Sequence, residues 1–238
     1  MSVSLVIGAN GGIAQALITL LLKQSPQEQV VGVARGESQQ INSRYSHFIW
    51  DGSVKSIEHV CERVEAKSLD RVFCCLGMLS NEEKNLSPEK RLEDIQPENL
   101  EEYFRVNTIL PALWLKHIPT LLKSSVPTRV VLLSARVGSI EDNQLGGWYG
   151  YRASKAALNM MVKTAQVEYR RRLKNCNLVL YHPGTVDTAL SKPFQGNVPA
   201  GKLFTPEFSA QQLLQILPSL NEQHAPHYID WNGKSIPW

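Results

Sequence analysis

Val3-Ser4-Leu5-Val6-Ile7-Gly8-Ala9-Asn10-Gly11-Gly12-Ile13-Ala14 is the stretch from which the fold is read. Val3–Gly8 is a short apolar run that stops at glycine. From Gly12 to Lys23 the apolar residues fall at helical spacing, with Ile13, Ala16, Leu17, Leu20 and Leu21 on one side. A strand therefore meets a helix across a glycine turn. Such glycines let the backbone turn tightly and approach a pyrophosphate, which then faces the free N–H groups and positive dipole end of the helix. The spacing is Gly-x-x-x-Gly-x-Ala, with Ala14 where a third glycine would stand. On the turn alone two readings are open: a phosphate cradle, or a strand-to-helix turn that binds nothing.

Outward from this turn the alternation continues. Strands are predicted at Gln29–Ala34, His47–Trp50, Asp70–Leu76, Arg129–Ser134, Asn177–Tyr181 and His227–Asp230. Helices are predicted at Val54–Ala66, Tyr151–Leu173 and Thr205–Leu217, the last opened by a Thr205 cap, Pro206 and an early acid, Glu207. Pro97–Lys123 reads as one long helical region that Pro111 and Pro119 break or kink. Asn81–Glu102 reads as a polar surface excursion. Strands that are apolar throughout and separated by helices indicate a parallel sheet covered on both faces. The expected fold class is α/β, a single doubly wound Rossmann domain over residues 1–238, with a mostly parallel sheet flanked by helices.

Composition narrows the function classes. Of 238 residues, 43% are hydrophobic and 20% charged, enough for a full core and unlike a disordered chain. A net charge of +3 is too mild to imply nucleic-acid binding. Cys61, Cys74, Cys75 and Cys176 form no CxxC pair, so neither a disulfide scaffold nor a metal site is expected. The first ten residues lack a basic region, and no apolar run reaches the ~18 residues of a membrane span. A cytoplasmic location without membrane contact is the expectation.

Tyr151-Arg152-Ala153-Ser154-Lys155 is the second constellation. On a helix, Tyr151 and Lys155 share a face. A phenol titrates near ~10, too high for an efficient acid or base at neutral pH. A neighbouring ammonium favours the phenolate and is expected to lower that value. The pair suits proton exchange in an alcohol–carbonyl interconversion. A surface pair with a half-buried tyrosine is the plainer alternative.

In order, the chain has Gly8…Gly12 after the first strand, Asp51 after the third, Leu76-Gly77 after the fourth and Asn107 in the long helix. Ser134 at a strand end, Tyr151-x-x-x-Lys155, and Pro183-Gly184 followed by Thr188 complete the series. Together these resemble the short-chain dehydrogenase/reductase superfamily over almost the whole chain. Ser134–Ile140, Gly146–Asn159 and the ending Asp230–Trp238 resemble the branch of C-factor-like proteins and sniffer-type carbonyl reductases. The resemblance implies that Gly8 and Gly12, with Asn10, Gly11 and Ile13, hold the cofactor pyrophosphate. It implies that Asp51 binds the adenine amino group and that Gly77 contacts the cofactor. Tyr151 would exchange the proton, Lys155 would bind the nicotinamide ribose, and Asn107 would hold a relay water behind Lys155. Pro183, Gly184 and Val186 would wall the nicotinamide, with Thr188 near its carboxamide.

Three positions depart from the family pattern. Ala14 replaces a glycine, and Cys75 replaces an asparagine whose amide supports the sheet. The family's catalytic serine is the second of a Ser-Ser pair, which here reads Ser134-Ala135. Ser134 is the nearest candidate, and Ser139 is another. In this fold an acid at the end of the second strand selects NAD. Here Ala34 leaves room and Arg35 offers guanidinium donors to a 2′-phosphate, so NADP(H) is the expected cofactor. Glu37 is close enough in sequence to compete for Arg35. The function implied is NADP(H)-dependent transfer of hydride between nicotinamide and a small carbonyl or alcohol substrate. A cofactor-binding signalling or regulatory protein with little turnover is the alternative. Trp114, Trp148 and Tyr149 are candidates for a substrate pocket or for core packing. The small and apolar residues of Ala153–Leu173 exceed one core-facing stripe, so a homodimer or homotetramer built on that helix is expected.

Overall fold

The computed structural model describes residues 2–38, 40, 42–123, 125–173 and 175–238. The first half of the chain runs β1 (Ser2–Ile7), α1 (Gly12–Gln24), β2 (Glu28–Ala34), β3 (Tyr45–Ile49), α2 (Val54–Arg63), β4 (Arg71–Cys74), α3 (Pro97–Phe104) and α4 (Leu110–His117). The second half runs β5 (Thr128–Leu133), α5 (Tyr149–Arg172), β6 (Cys176–His182), β7 (Thr185–Val186), β8 (Leu203–Phe204), α6 (Pro206–Ile216) and β9 (His227–Asp230). Seven strands form one sheet in the order β3-β2-β1-β4-β5-β6-β9, and every neighbouring pair is parallel. β7 and β8 form a separate two-stranded piece.

Successive side chains of a strand point to opposite faces, and both faces here are apolar. Leu5 and Ile7 enter the core layer with Trp114, Leu158 and Val162 of α4 and α5. Val6 enters the layer with Leu17, Leu21 and Leu213 of α1 and α6. Trp114 is buried there, edge-on to Trp50 at 5.6 Å between ring centroids, so its place is the core and not a pocket. Thr205 caps α6 as predicted, its side chain accepting from the Phe208 N–H at 3.1 Å.

The strand order reverses between β1 and β4. Ligands of such sheets bind in the crevice at the carboxyl ends of the strands flanking that switch point. Gly8 and Cys75 stand there side by side, with the Cys75 N–H donating to the Ile7 carbonyl at 2.8 Å.

The long helical region breaks earlier than Pro111 itself. α3 ends at Phe104, and Arg105–Ile109 widens into a π turn in which the Leu110 N–H reaches the Arg105 carbonyl. Pro111 has no N–H to give Asn107 four residues back, so the ordinary ladder cannot close there. Pro119 lies in a closing 3-10 turn, Ile118–Thr120. The polar stretch from Asn81 is also not wholly at the surface: Leu86, Pro88 and Glu89 are buried.

Candidate active site

Gly8 adopts a left-handed backbone, φ +81°, and a Cβ there would stand 3.2 Å from the Cys75 carbonyl carbon. Only glycine suits both demands. The Gly11 N–H donates to the Gly8 carbonyl at 3.0 Å and closes the turn. Gly11 is the N-cap of α1, no side chain caps the helix, and its first turn carries no acid. A Cβ on Gly12 would lie 2.9 Å from Thr188 Cγ2. Uncapped N–H groups, no competing carboxylate and a floor without side chains are the features an extended pyrophosphate needs. Ile13 packs partly into the α1 core layer and anchors the turn.

Asn10 Nδ2 donates to the carbonyls of Gly36 and Glu37, both at 3.2 Å, and so ties the glycine turn to the loop after β2. That loop carries Arg35, exposed at the strand's end and in no ion pair among the described residues. Glu37 therefore does not hold it. Asp51 lies past β3, where its Oδ1 accepts from the Ser53 N–H at 2.8 Å and Ser56 Oγ at 2.6 Å. The Ser56 hydroxyl first and then Ser53 hold its carboxyl down to about 2, so Asp51 is anionic at neutral pH.

Tyr151 and Lys155 lie one turn apart on α5, buried, with Lys155 Nζ 6.0 Å from the Tyr151 ring centroid. Lys155 Nζ donates to the Leu133 carbonyl at 2.9 Å. Burial brings the ammonium down to about 8. Burial also pushes the Tyr151 phenol up. The expected lowering by the ammonium does not appear, because desolvation of the phenolate outweighs a charge that far away. Tyr151 is thus held in its proton-bearing form. Asn107 is fully buried in the π turn. Its Oδ1 accepts from the Met78 N–H at 2.8 Å, and its Nδ2 donates to the Met78 carbonyl and to Ser154 Oγ, both at 3.0 Å. The Asn107 amide is therefore used in bolting α5 to the Gly77 loop. A Cβ at Gly77 would lie 3.5 Å from Lys155 Nζ and 3.8 Å from Asn107 Oδ1, so this glycine borders both.

The serines fall elsewhere. Ser134 Oγ donates to Asn159 Oδ1 at 2.7 Å inside the core, and Ser139 Oγ accepts from the Asp142 N–H at 3.1 Å. Neither forms a bond to Tyr151. Ala135, without a hydroxyl, is the residue packed in the Tyr151 cluster.

Past β6, the Pro183 carbonyl accepts from Ser209 Oγ at 3.1 Å, and Gly184 takes φ +78° against the Phe204 ring. Val186 is buried, and Thr188 reaches back over Gly12. The segment therefore lies across the cradle. One contributor escapes sequence reading. Glu89 is 2% exposed and its Oε2 accepts from the Gly150 N–H at 3.0 Å, capping the helix that carries Tyr151. Its neighbours Ser87, Pro88 and Lys90 read as loop, and only the tertiary fold shows the burial. Phe194 packs on Trp148 beside Tyr151.

Residues 2–198 match the family model described as short chain dehydrogenase. The chain is 31% identical over 147 residues to C-signal of Myxococcus xanthus, covering 62% of this chain and 83% of that protein. It is 26% identical to 1-hydroxy-2-glutathionyl-2-methyl-3-butene dehydrogenase of Rhodococcus sp. (strain AD45), over the full length of both. The structure of an NADPH-bound carbonyl reductase from chicken fatty liver superposes with a TM-score of 0.84 at 25% identity, covering both chains completely.

Proposed function

The chain belongs to the short chain dehydrogenase family, and on that footing we propose that it is an NADP(H)-dependent carbonyl reductase acting on a small carbonyl or alcohol substrate. The observation that carries this is the buried Tyr151, proton-bearing and one helical turn from Lys155, on the crevice that the Gly8–Gly12 turn opens. A bound NADPH supplies the hydride. Gly8, Asn10, Gly11, Gly12 and Ile13 form the pyrophosphate cradle, Asp51 serves the adenine and Arg35 the 2′-phosphate. Gly77, Pro183, Gly184, Val186 and Thr188 line the nicotinamide end. Tyr151 gives its proton to the substrate oxygen, and Lys155 Nζ holds the ribose beside it. Asn107 contributes its main-chain carbonyl, which Pro111 leaves without an α-helical donor, to the relay that reprotonates Tyr151. In place of Ser134, the apolar Ala135 faces the reacting oxygen, so polarisation of the carbonyl rests on Tyr151.

One observation favours a second reading. The C-signal relative, together with the missing hydroxyl at position 135, fits a cofactor-binding signalling protein with little turnover. NADPH oxidation against aldehydes, quinones and diketones separates the two. Turnover supports the reductase, and NADPH binding without turnover on any of them supports the signal.

A further inference from the structure

Gly32 stands inside β2, where a glycine forgoes a side chain that could pack on the sheet. A Cβ there would collide with the phenol oxygen of Tyr45, so the missing side chain is the space that the phenol fills. β2 and β3 pair in parallel, with Gly32 opposite His47. Tyr45 and His47 are two residues apart on β3 and project from the same face. The phenol oxygen lies 2.9 Å from His47 Nδ1, and His47 Nε2 lies 2.8 Å from the Gly36 carbonyl oxygen. A carbonyl only accepts, so Nε2 carries the hydrogen of that bond. In the neutral ring Nδ1 is then the acceptor, and the Tyr45 hydroxyl donates to it. The phenol thereby fixes the tautomer that reaches the loop after β2.

Gly36 directly follows Arg35. Its carbonyl is gripped from a second direction by Asn10 Nδ2, which also takes the Glu37 carbonyl, both at 3.2 Å. One grip comes from the glycine turn and the other from β3. The Arg35 side chain is exposed and in no ion pair among the described residues, so what is held is the backbone beside it. A long side chain on a fixed backbone has less freedom to lose when its guanidinium meets a phosphate. Asp51, by contrast, is held by Ser53 and Ser56 and not by this latch.

We propose that His47, oriented by Tyr45, is a positioning residue for the 2′-phosphate of NADP(H): it fixes the Gly36 carbonyl, so presents Arg35, and raises the preference for NADP(H) without touching the cofactor. This rests on the NADP(H) reading above and extends it to a residue on β3.

Equilibrium titration with NADPH, NADH, adenosine 2′,5′-bisphosphate and 5′-AMP tests the inference in the wild type and in His47→Ala, His47→Gln and Tyr45→Phe. The last two ligands differ only in the 2′-phosphate. The wild type is expected to prefer the 2′-phosphorylated member of each pair. His47→Ala weakens NADPH and the bisphosphate by about 3- to 10-fold, the worth of one hydrogen bond, and leaves NADH and AMP within about twofold. His47→Gln, whose amide N–H takes the place of Nε2–H, recovers most of that loss. Tyr45→Phe weakens the same two ligands and spares the others. An unchanged preference in His47→Ala, an equal loss on all four ligands, or a His47→Gln variant no better than His47→Ala would overturn the inference and leave the NADP(H) reading standing. Equal binding of NADPH and NADH by the wild type would overturn both.

Discussion

Ser134 and Asn159 hold each other in the core: Ser134 Oγ donates to Asn159 Oδ1 at 2.7 Å, and Asn159 Nδ2 donates to the Gly138 carbonyl at 3.2 Å. The hydroxyl is committed to joining β5 to α5. Ser134→Ala therefore leaves a buried acceptor short of a partner and costs ~1–3 kcal/mol of stability. Chemical denaturation is expected to show that loss, with turnover within about threefold of wild type in the folded fraction. A hundredfold fall in kcat at unchanged stability would instead make Ser134 a catalytic donor.

Arg35 stands at the end of β2 with no acid paired to it among the described residues. A hydrogen bond to a charged group contributes ~1.5–3 kcal/mol, so NADPH is expected to bind at least ~10-fold tighter than NADH. Arg35→Ala removes most of that gap. Titrating both proteins with both cofactors checks it, and equal affinities in the wild type would refute the assignment to NADP.

His182, at the end of β6, is set for acid sensitivity. Its Nδ1 is buried with no hydrogen-bond partner among the described residues, and burial brings the imidazole from 6.5 down to about 4, only partly offset by Asp230. The unfolded chain therefore binds more protons than the folded one between pH 6.5 and about 4, and stability falls as pH drops through that window. His182→Gln is expected to flatten this part of the stability–pH curve. An unchanged slope would show that His182 is not the group responsible.

The outer side of α5 leaves Met160, Met161 and Val167 exposed at 63%, 45% and 52%, too much apolar surface for a helix facing only water. We expect this face to join a second copy. Light scattering at micromolar concentration should give a dimer or tetramer, and Met160→Glu should shift it to monomer. A monomeric wild type would contradict the assignment.

The sheet was legible because its strands are apolar on both faces, and the tight turn into α1 because glycines sit between β1 and α1. Tyr151 and Lys155 were legible because four residues make one helical turn. The Asn107 amide bonds were not, since they join residues 29 and 47 positions away. Nor was Glu89, a carboxylate in a polar stretch whose burial depends on the start of a helix 61 positions on. The displacement of Ser134 into the core has the same cause. A spacing rule gives distance along the chain, while Asn159 decides which way the hydroxyl turns. The lowered phenol expected from sequence gave way to a raised one because burial, which no local motif encodes, outweighs a charge 6.0 Å from the ring centre.

The most direct measurement is NADPH oxidation on a carbonyl panel by the wild type and Tyr151→Phe, with NADPH affinity measured on both. A general acid contributes ~10²–10⁴-fold, so the variant is expected to lose turnover by at least the lower figure while binding NADPH nearly as well. A Phe variant that keeps most of the wild-type rate, or a wild type that binds NADPH and reduces nothing on the panel, would contradict the proposal that Tyr151 is the proton donor of a carbonyl reductase.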